Sequence, residues 1–154
     1  MKLNILIADE DPVSRNVLKA ALFHWGHKVA AVEDGQQACA ILQAGEIDVC
    51  ILGRNTAKLN GLEVCQWIRQ AELRRTPHTI LITHDLRREE ISAAYLAGAS
   101  DFLSRPLRLP EVRERLRIAA SRIARLRLGH AEPGRMDPLE YYRLDLASHR
   151  KAHN

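Results

Sequence analysis

The side chains of this chain that could do polar chemistry stand at the ends of apolar runs. Asp9-Glu10-Asp11 follows Leu3 to Ala8, Thr83 closes the run from Thr79, and Arg105 comes shortly after Asp101-Phe102-Leu103. These supply carboxylates, a hydroxyl and a guanidinium. Arg105 keeps its charge at every relevant pH, and its planar fork can hold a carboxylate through two hydrogen bonds, as lysine cannot. A further run, Ile47 to Leu52, ends on Gly53, which has no side chain to contribute. Other reactive types form no constellation. No H-x-x-x-H spacing joins His24, His27, His78 and His84 to one another, and no G-x-G-x-x-G, P-loop or G-x-S-x-G occurs. Cys39, Cys50 and Cys65 lie inside apolar segments without a C-x-x-C pair, which reads as buried thiols filling a core.

Bringing those run ends together is a matter of strand and helix order. Leu3 to Ala8, Lys28 to Val32, Ile47 to Leu52, Thr79 to Thr83 and Asp101 to Leu103 read as five short strands. Between them, Val13, Val17, Leu18, Ala21 and Leu22 recur at helical spacing up to Gly26. Gln36 to Ala44 forms a second helix, about Leu62 to Leu73 a third with Val64, Ile68 and Leu73 inward, and Arg88 to Ala97 a fourth. Apolar strands alternating with helices require a parallel sheet covered on both faces, because the crossovers are right-handed. The pattern predicts an α/β, doubly wound, flavodoxin-like fold with five strands in the order 2-1-3-4-5. Its site would lie at the carboxyl ends of strands one, three and four.

From Pro110 a last helix carries Val112, Leu116, Ala119, Ile123 and Leu126 at heptad spacing, flanked by six arginines. One reading packs this stripe on the sheet. The other makes Val112, Leu116, Ile123 and Leu126 an interface to a partner or a second protomer. Beyond Gly129, prolines, glycine and charge predict a mobile tail with one helical stretch near Leu139 to Leu146. The expected division is a globular domain over 1–121 and a basic helical extension with its tail over 122–154.

A length of 154 residues, 46% hydrophobic and 27% charged, fits one soluble domain with an appendage. Charge is unevenly placed. Residues 1–104 carry 11 basic and 13 acidic residues, whereas residues 105–154 carry 12 and 6. The chain enters its first strand without the basic-then-apolar order of a signal peptide, and no apolar run approaches a membrane span. A cytoplasmic location without membrane contact is therefore expected.

The acidic cluster after strand one, the run ending in Gly53 and the helix-opening Asn60-Gly61-Leu62-Glu63 together resemble the receiver domain of bacterial two-component response regulators. In that family a strand-end aspartate accepts a phosphoryl group, an acidic pair holds Mg²⁺, a hydroxyl senses the phosphate and a lysine binds its oxygen. The resemblance makes Asp9 and Glu10 the acidic pair and Thr83 the sensing hydroxyl. Phe102 becomes the aromatic that turns with that hydroxyl, and Arg105 takes the lysine's place, before a proline bond that the family often holds cis. Gly53 falls where the acceptor belongs.

The site implied is therefore a degenerate phosphorylation site of Asp9, Glu10, Gly53, Thr83, Phe102 and Arg105, with no catalytic residue. Mg²⁺ is expected to bind weakly at Asp9 and Glu10 or not at all, and no other cofactor is implied. Ala57 stands where the family usually has proline, so the loop bearing Asn55 is expected to take another path. An Arg105 pair with Asp9 or Glu10 would fill the space of metal and phosphate; the competing account is neutral drift at both positions. Asp48 begins its strand, ~16 Å from Gly53 along an extended chain, and cannot substitute.

The resemblance thus implies a non-enzymatic, phosphorylation-independent atypical response regulator that acts as an adaptor in two-component-type signalling. Its partners would be a histidine kinase, a phosphotransfer protein or another regulator, with a homodimer through helices four and five as a further possibility. Two alternatives stand beside it: a receiver phosphorylated at a noncognate residue, and nucleic-acid binding through the Arg-rich last helix. The second is disfavoured by interleaved Glu111 and Glu114 and by the lack of a helix-turn-helix pattern.

Overall fold

The computed structural model describes residues 1–129. The expected tail and its helical stretch lie outside the described residues. Five strands, β1 (Asn4–Ala8), β2 (Lys28–Val32), β3 (Val49–Gly53), β4 (His78–Thr83) and β5 (Asp101–Ser104), alternate with α1 (Pro12–His24), α2 (Gly35–Ala44), α3 (Gly61–Gln70), α4 (Arg88–Ala97) and α5 (Leu109–Arg127). All strand pairs are parallel, in the order β2-β1-β3-β4-β5, as the alternation predicts.

Strand residues divide between the faces with a period of two. Leu6, Cys50, Leu52, Leu81 and Phe102 join α2, α3 and α4 in one core. Ile5, Ile7, Ile51, Ile80, Ile82 and Leu103 join α1 and α5 in the other. The register sets Gly53 beside Ile82 and Thr83 beside Ser104, so the strand ends meet at one edge. Local signals place the helices that start there. Asp11 caps α1 through the Val13 amide with Pro12 behind it, and Asn60 and Glu63 form a capping box on α3. At Gly61 a Cβ would stand 2.6 Å from the Gly53 carbonyl oxygen, so only glycine lets α3 begin against the end of β3.

Three expectations change. Val13 and Val17 lie on α1 but face outward, at 69% and 48% exposure; Leu18 and Leu22 carry that helix's burial. Helix α3 ends at Gln70, and Leu73 packs against the core from the irregular segment that follows. The interface reading of the last helix is corrected as well. Val112, Leu116 and Ile123 are 0%, 4% and 8% exposed and lie with Ala119 in the core against the sheet, leaving Leu126 exposed. Heptad spacing also serves a stripe that covers one sheet face, and that face needed a cover. Helix α5 is continuous through 19 residues, so the division expected at 121–122 falls inside it.

The arginines of α5 are largely engaged within the chain. Arg113 stacks over Trp25, Arg115 pairs with Asp101, Arg117 with Glu114 and Arg127 with Asp48, while Arg122 meets the His78 ring. All three cysteines are buried. Burial pushes the Cys50 thiol well up and Cys65 up to about 11, which keeps both as thiols at neutral pH. No helix among the described residues is long and apolar enough to cross a membrane.

Candidate functional site

At the carboxyl edge of the sheet, the ends of β1, β3 and β4 and the residue after β5 enclose a cleft of about 170 Å³, lined by Asp9, Glu10, Gly53, Arg54, Thr83 and Arg105 among others. Asp9 is fully buried. Its Oδ1 accepts the Asp11 amide at 3.1 Å and Arg105 Nη2 at 3.0 Å, while Oδ2 is buried without a hydrogen-bond partner. Arg105 also donates from Nη1 to Ser14 Oγ on α1 at 3.1 Å, and its amide donates to the Thr83 carbonyl at 3.0 Å. The Arg105–Pro106 bond is cis. Arg15 adds a second guanidinium, donating to the Asp9 carbonyl at 2.8 Å.

Of the two acidic partners considered for Arg105, Asp9 holds it. Glu10 is exposed and forms no ion pair among the described residues. The pair couples groups 96 residues apart, and the guanidinium side chain is 16% exposed. Its net worth is a difference between strong attraction and the cost of removing both charges from water.

Strand β3 closes on Gly53, where no carboxylate stands. A Cβ built there would meet Thr56 Cγ2 at 3.3 Å, the Ala8 carbonyl oxygen at 3.5 Å and Arg105 Nη2 at 3.6 Å. The guanidinium therefore borders the space into which a side chain at position 53 would project. The Thr83 hydroxyl accepts the Asp85 amide at 3.1 Å, which binds it to the loop before α4. Phe102 is 4% exposed and packed in the core with Leu81, Ile91 and Ala94.

The loop after β3 is tied to the turn before α2. Asp34 and Ala57 form a bridge, the Gly35 amide donates to the Ala57 carbonyl at 3.2 Å, and Thr56 Oγ1 donates to the Leu59 carbonyl at 2.7 Å. Asn55 is left exposed. These residues supply few carboxylate oxygens for a hard divalent ion, which bound through one or two carboxylates keeps several waters. One oxygen of Asp9 is already shared by a guanidinium and an amide, Glu10 is exposed to solvent, and Gly53 brings no side-chain oxygen. Among the described residues no other group of His, Cys, Asp or Glu could hold a metal.

Asp48 lies at the opposite edge, as expected, where it binds the Asn4 amide, Arg75 and Arg127. Two contributors escape a sequence reading. Ser14 and Arg54 carry no motif, although Arg54 adjoins Gly53, and an arginine beside the vacant position was the available signal. Arg54 Nε reaches Glu90 Oε2 on α4 at 3.4 Å.

A doubly wound parallel sheet with an acidic residue, a hydroxyl and a basic residue at its carboxyl edge defines the receiver class of signalling domains. The comparisons agree. Residues 5–117 match the response regulator receiver domain, and the chain belongs to that family. It is 32% identical over 141 residues to the transcriptional regulatory protein TcrA of Mycobacterium tuberculosis, covering 90% of this chain and 55% of that protein. It is 32% identical over 117 residues to the response regulator MprA of Mycolicibacterium vanbaalenii, covering 76% of this chain and 50% of that one. The chain thus spans about half the length of the curated relatives it matches. Among solved structures, the receiver domain of the sensor histidine kinase PA1611 from Pseudomonas aeruginosa, which has a magnesium ion coordinated in its cleft, aligns with a TM-score of 0.71 and 26% identity. That match covers 79% of this chain and 99% of the other. The chemotaxis response regulator CheY4 of Vibrio cholerae shares the fold, with a TM-score of 0.73 and 21% identity over 77% of this chain and 99% of that one.

Proposed function

We propose that this receiver domain is a phosphorylation-independent interaction module in two-component-type signalling, a pseudo-receiver whose conformation is held from within. The observation that carries the reading is the Arg105–Asp9 pair beside Gly53: a permanent cation occupies the wall of a cleft that has no nucleophilic oxygen at the end of β3. The surrounding groups support it. The Thr83 hydroxyl is already bound to the following loop and Phe102 is already packed inside, so neither waits on a phosphoryl group. Partners of matching chemistry are a histidine kinase, a phosphotransfer protein or another regulator, met through the outer faces of α1, α4 and α5; α4 and α5 also suit a second copy. Val13, Val17 and Phe23 on α1, Leu96 on α4, and Ile118 and Leu126 on α5 are among the exposed apolar side chains those helices carry.

The engagement of the α5 arginines within the chain counts against nucleic-acid binding, since a guanidinium already paired neutralises phosphate less readily. Phosphorylation elsewhere gains no support from the buried carboxylates: Asp9 and Asp101 are paired with arginines, Asp34 caps α2, and Asp48 sits at the far edge. The test is intact-mass measurement after incubation with Mg²⁺ and a small acyl phosphate, beside sedimentation of the chain with and without that donor. The expected result is an unchanged mass and an unchanged self-association constant. Stoichiometric phosphate uptake, or association that depends on the donor, would refute the reading.

A further inference from the structure

Helix α4 has an unusual pair of end supports. Its N-cap, Arg87, makes no side-chain cap bond, so the first turn lacks its ordinary anchor. Glu90, in that first turn, instead receives Arg54 Nε at 3.4 Å from the loop after β3. Arg54 is well placed to reach. Its backbone is fixed on both sides, the amide donating to the Ile82 carbonyl at 2.8 Å and the carbonyl accepting the Gly61 amide at 3.2 Å. At the other end, Arg69 in the last turn of α3 donates from Nη1 to the Leu96 carbonyl of α4. Gly98, at φ 108°, terminates α4 beneath that arginine, and a Cβ there would stand 2.6 Å from Arg69 Cδ. Each contact has the sign that its helix end favours, an acid in the first turn and a cation on the last carbonyls.

We infer that Arg54 and Arg69, one before α3 and one at its end, are positioning residues that clamp α4 at both ends. The clamp itself rests only on geometry. Its consequence, that α4 presents a fixed face to a partner, rests on the phosphorylation-independent reading above.

Hydrogen exchange by mass spectrometry on the full chain tests both and keeps them apart. Arg54→Ala and Glu90→Gln are each expected to speed exchange over residues 86–92 by about 1.5- to 5-fold, the range for a partly exposed ion pair, while strand amides keep their rates. The double variant should match the single ones, because either change removes the same contact. Arg69→Ala should act instead on residues 95–100. Additive effects of the 54 and 90 changes, no effect of either, or an increase spread over the whole sheet would overturn the clamp. A parallel run of the unmodified chain with Mg²⁺ and beryllium trifluoride, a phosphoryl mimic, addresses the other reading. A changed α4 rate there would sink phosphorylation independence while leaving the clamp to stand or fall by the mutant cycle.

Discussion

Two aspartates lie buried at opposite edges of one sheet, both held by arginine, and they are completed differently. At the base, Asp48 has both oxygens engaged, Oδ2 by the Asn4 amide at 2.8 Å and Oδ1 by Arg75 at 2.8 Å and Arg127 at 2.9 Å. At the carboxyl edge, Asp9 has Oδ1 doubly engaged and Oδ2 empty-handed beside a cleft. The saturated acid fastens the N-terminal strand, the segment before β4 and the end of α5 to one another, a structural role that leaves nothing to bind. The unsaturated one keeps an acceptor that the fold does not use, at the edge where ligands of this architecture bind.

The comparison is broken most directly by neutralising each acid in turn. Asp48→Asn sets an amide donor against a backbone donor and withdraws charge from two arginines; we expect a loss of about 2–3 kcal/mol in urea unfolding. Asp9→Asn removes one charge-assisted bond and adds a donor at the oxygen position that lacks a partner, so about 1 kcal/mol is expected. Equal losses would show that the two acids are equivalent and the contrast empty.

Restoring an acid sharpens the difference at the upper edge. Gly53→Asp is expected to fold with a stability change of about 1 kcal/mol or less, because its Cβ meets one methyl at 3.3 Å and the Arg105 nitrogen at 3.6 Å. Its carboxylate would join Asp9 at the cleft, and Mg²⁺-dependent uptake of phosphate from an acyl phosphate should appear by intact mass where none is expected of the parent chain. A variant that folds yet stays unmodified would mean that Arg105 blocks the chemistry even with an acceptor present.

The smallest effect belongs to the base. His27 Nδ1 accepts the Leu3 amide at 3.2 Å, and burial, then the positive N-terminus, holds its pKa below the usual 6.5. The fold therefore favours the neutral ring. That contribution is present above the unfolded value and is lost as pH falls through the lower folded one. Thermal melts between pH 7.5 and 5.5 should show a shallower pH dependence for His27→Gln than for the parent; parallel curves would remove His27 from the account.

Much of the fold was legible because its signals are local. Short apolar runs, Asp11 before Pro12 and the Asn60 to Glu63 box each act within a few residues, and their alternation leaves few topologies open. Burial direction was less legible. The spacing of Val112, Leu116 and Ile123 describes a stripe but not what lies opposite it, and Val13 and Val17 have the spacing of a core face without its burial. At the site, the resemblance aligned Arg105 with the acids, so its pairing could be anticipated across 96 residues; the choice of Asp9 over Glu10 needed the geometry. Nothing in the sequence tells Arg54 which of many glutamates it will meet.

The hollow beside Gly53 has a consequence for ancestry. Its walls are a threonine methyl, a backbone carbonyl and a guanidinium, and a Cβ there asks only a few tenths of an ångström of the threonine while meeting the other two at ordinary contact distance. Should Gly53→Asp take up phosphate with Arg105 in place, one codon would separate a scaffold from a chargeable switch, with the sheet and its packing inherited unchanged.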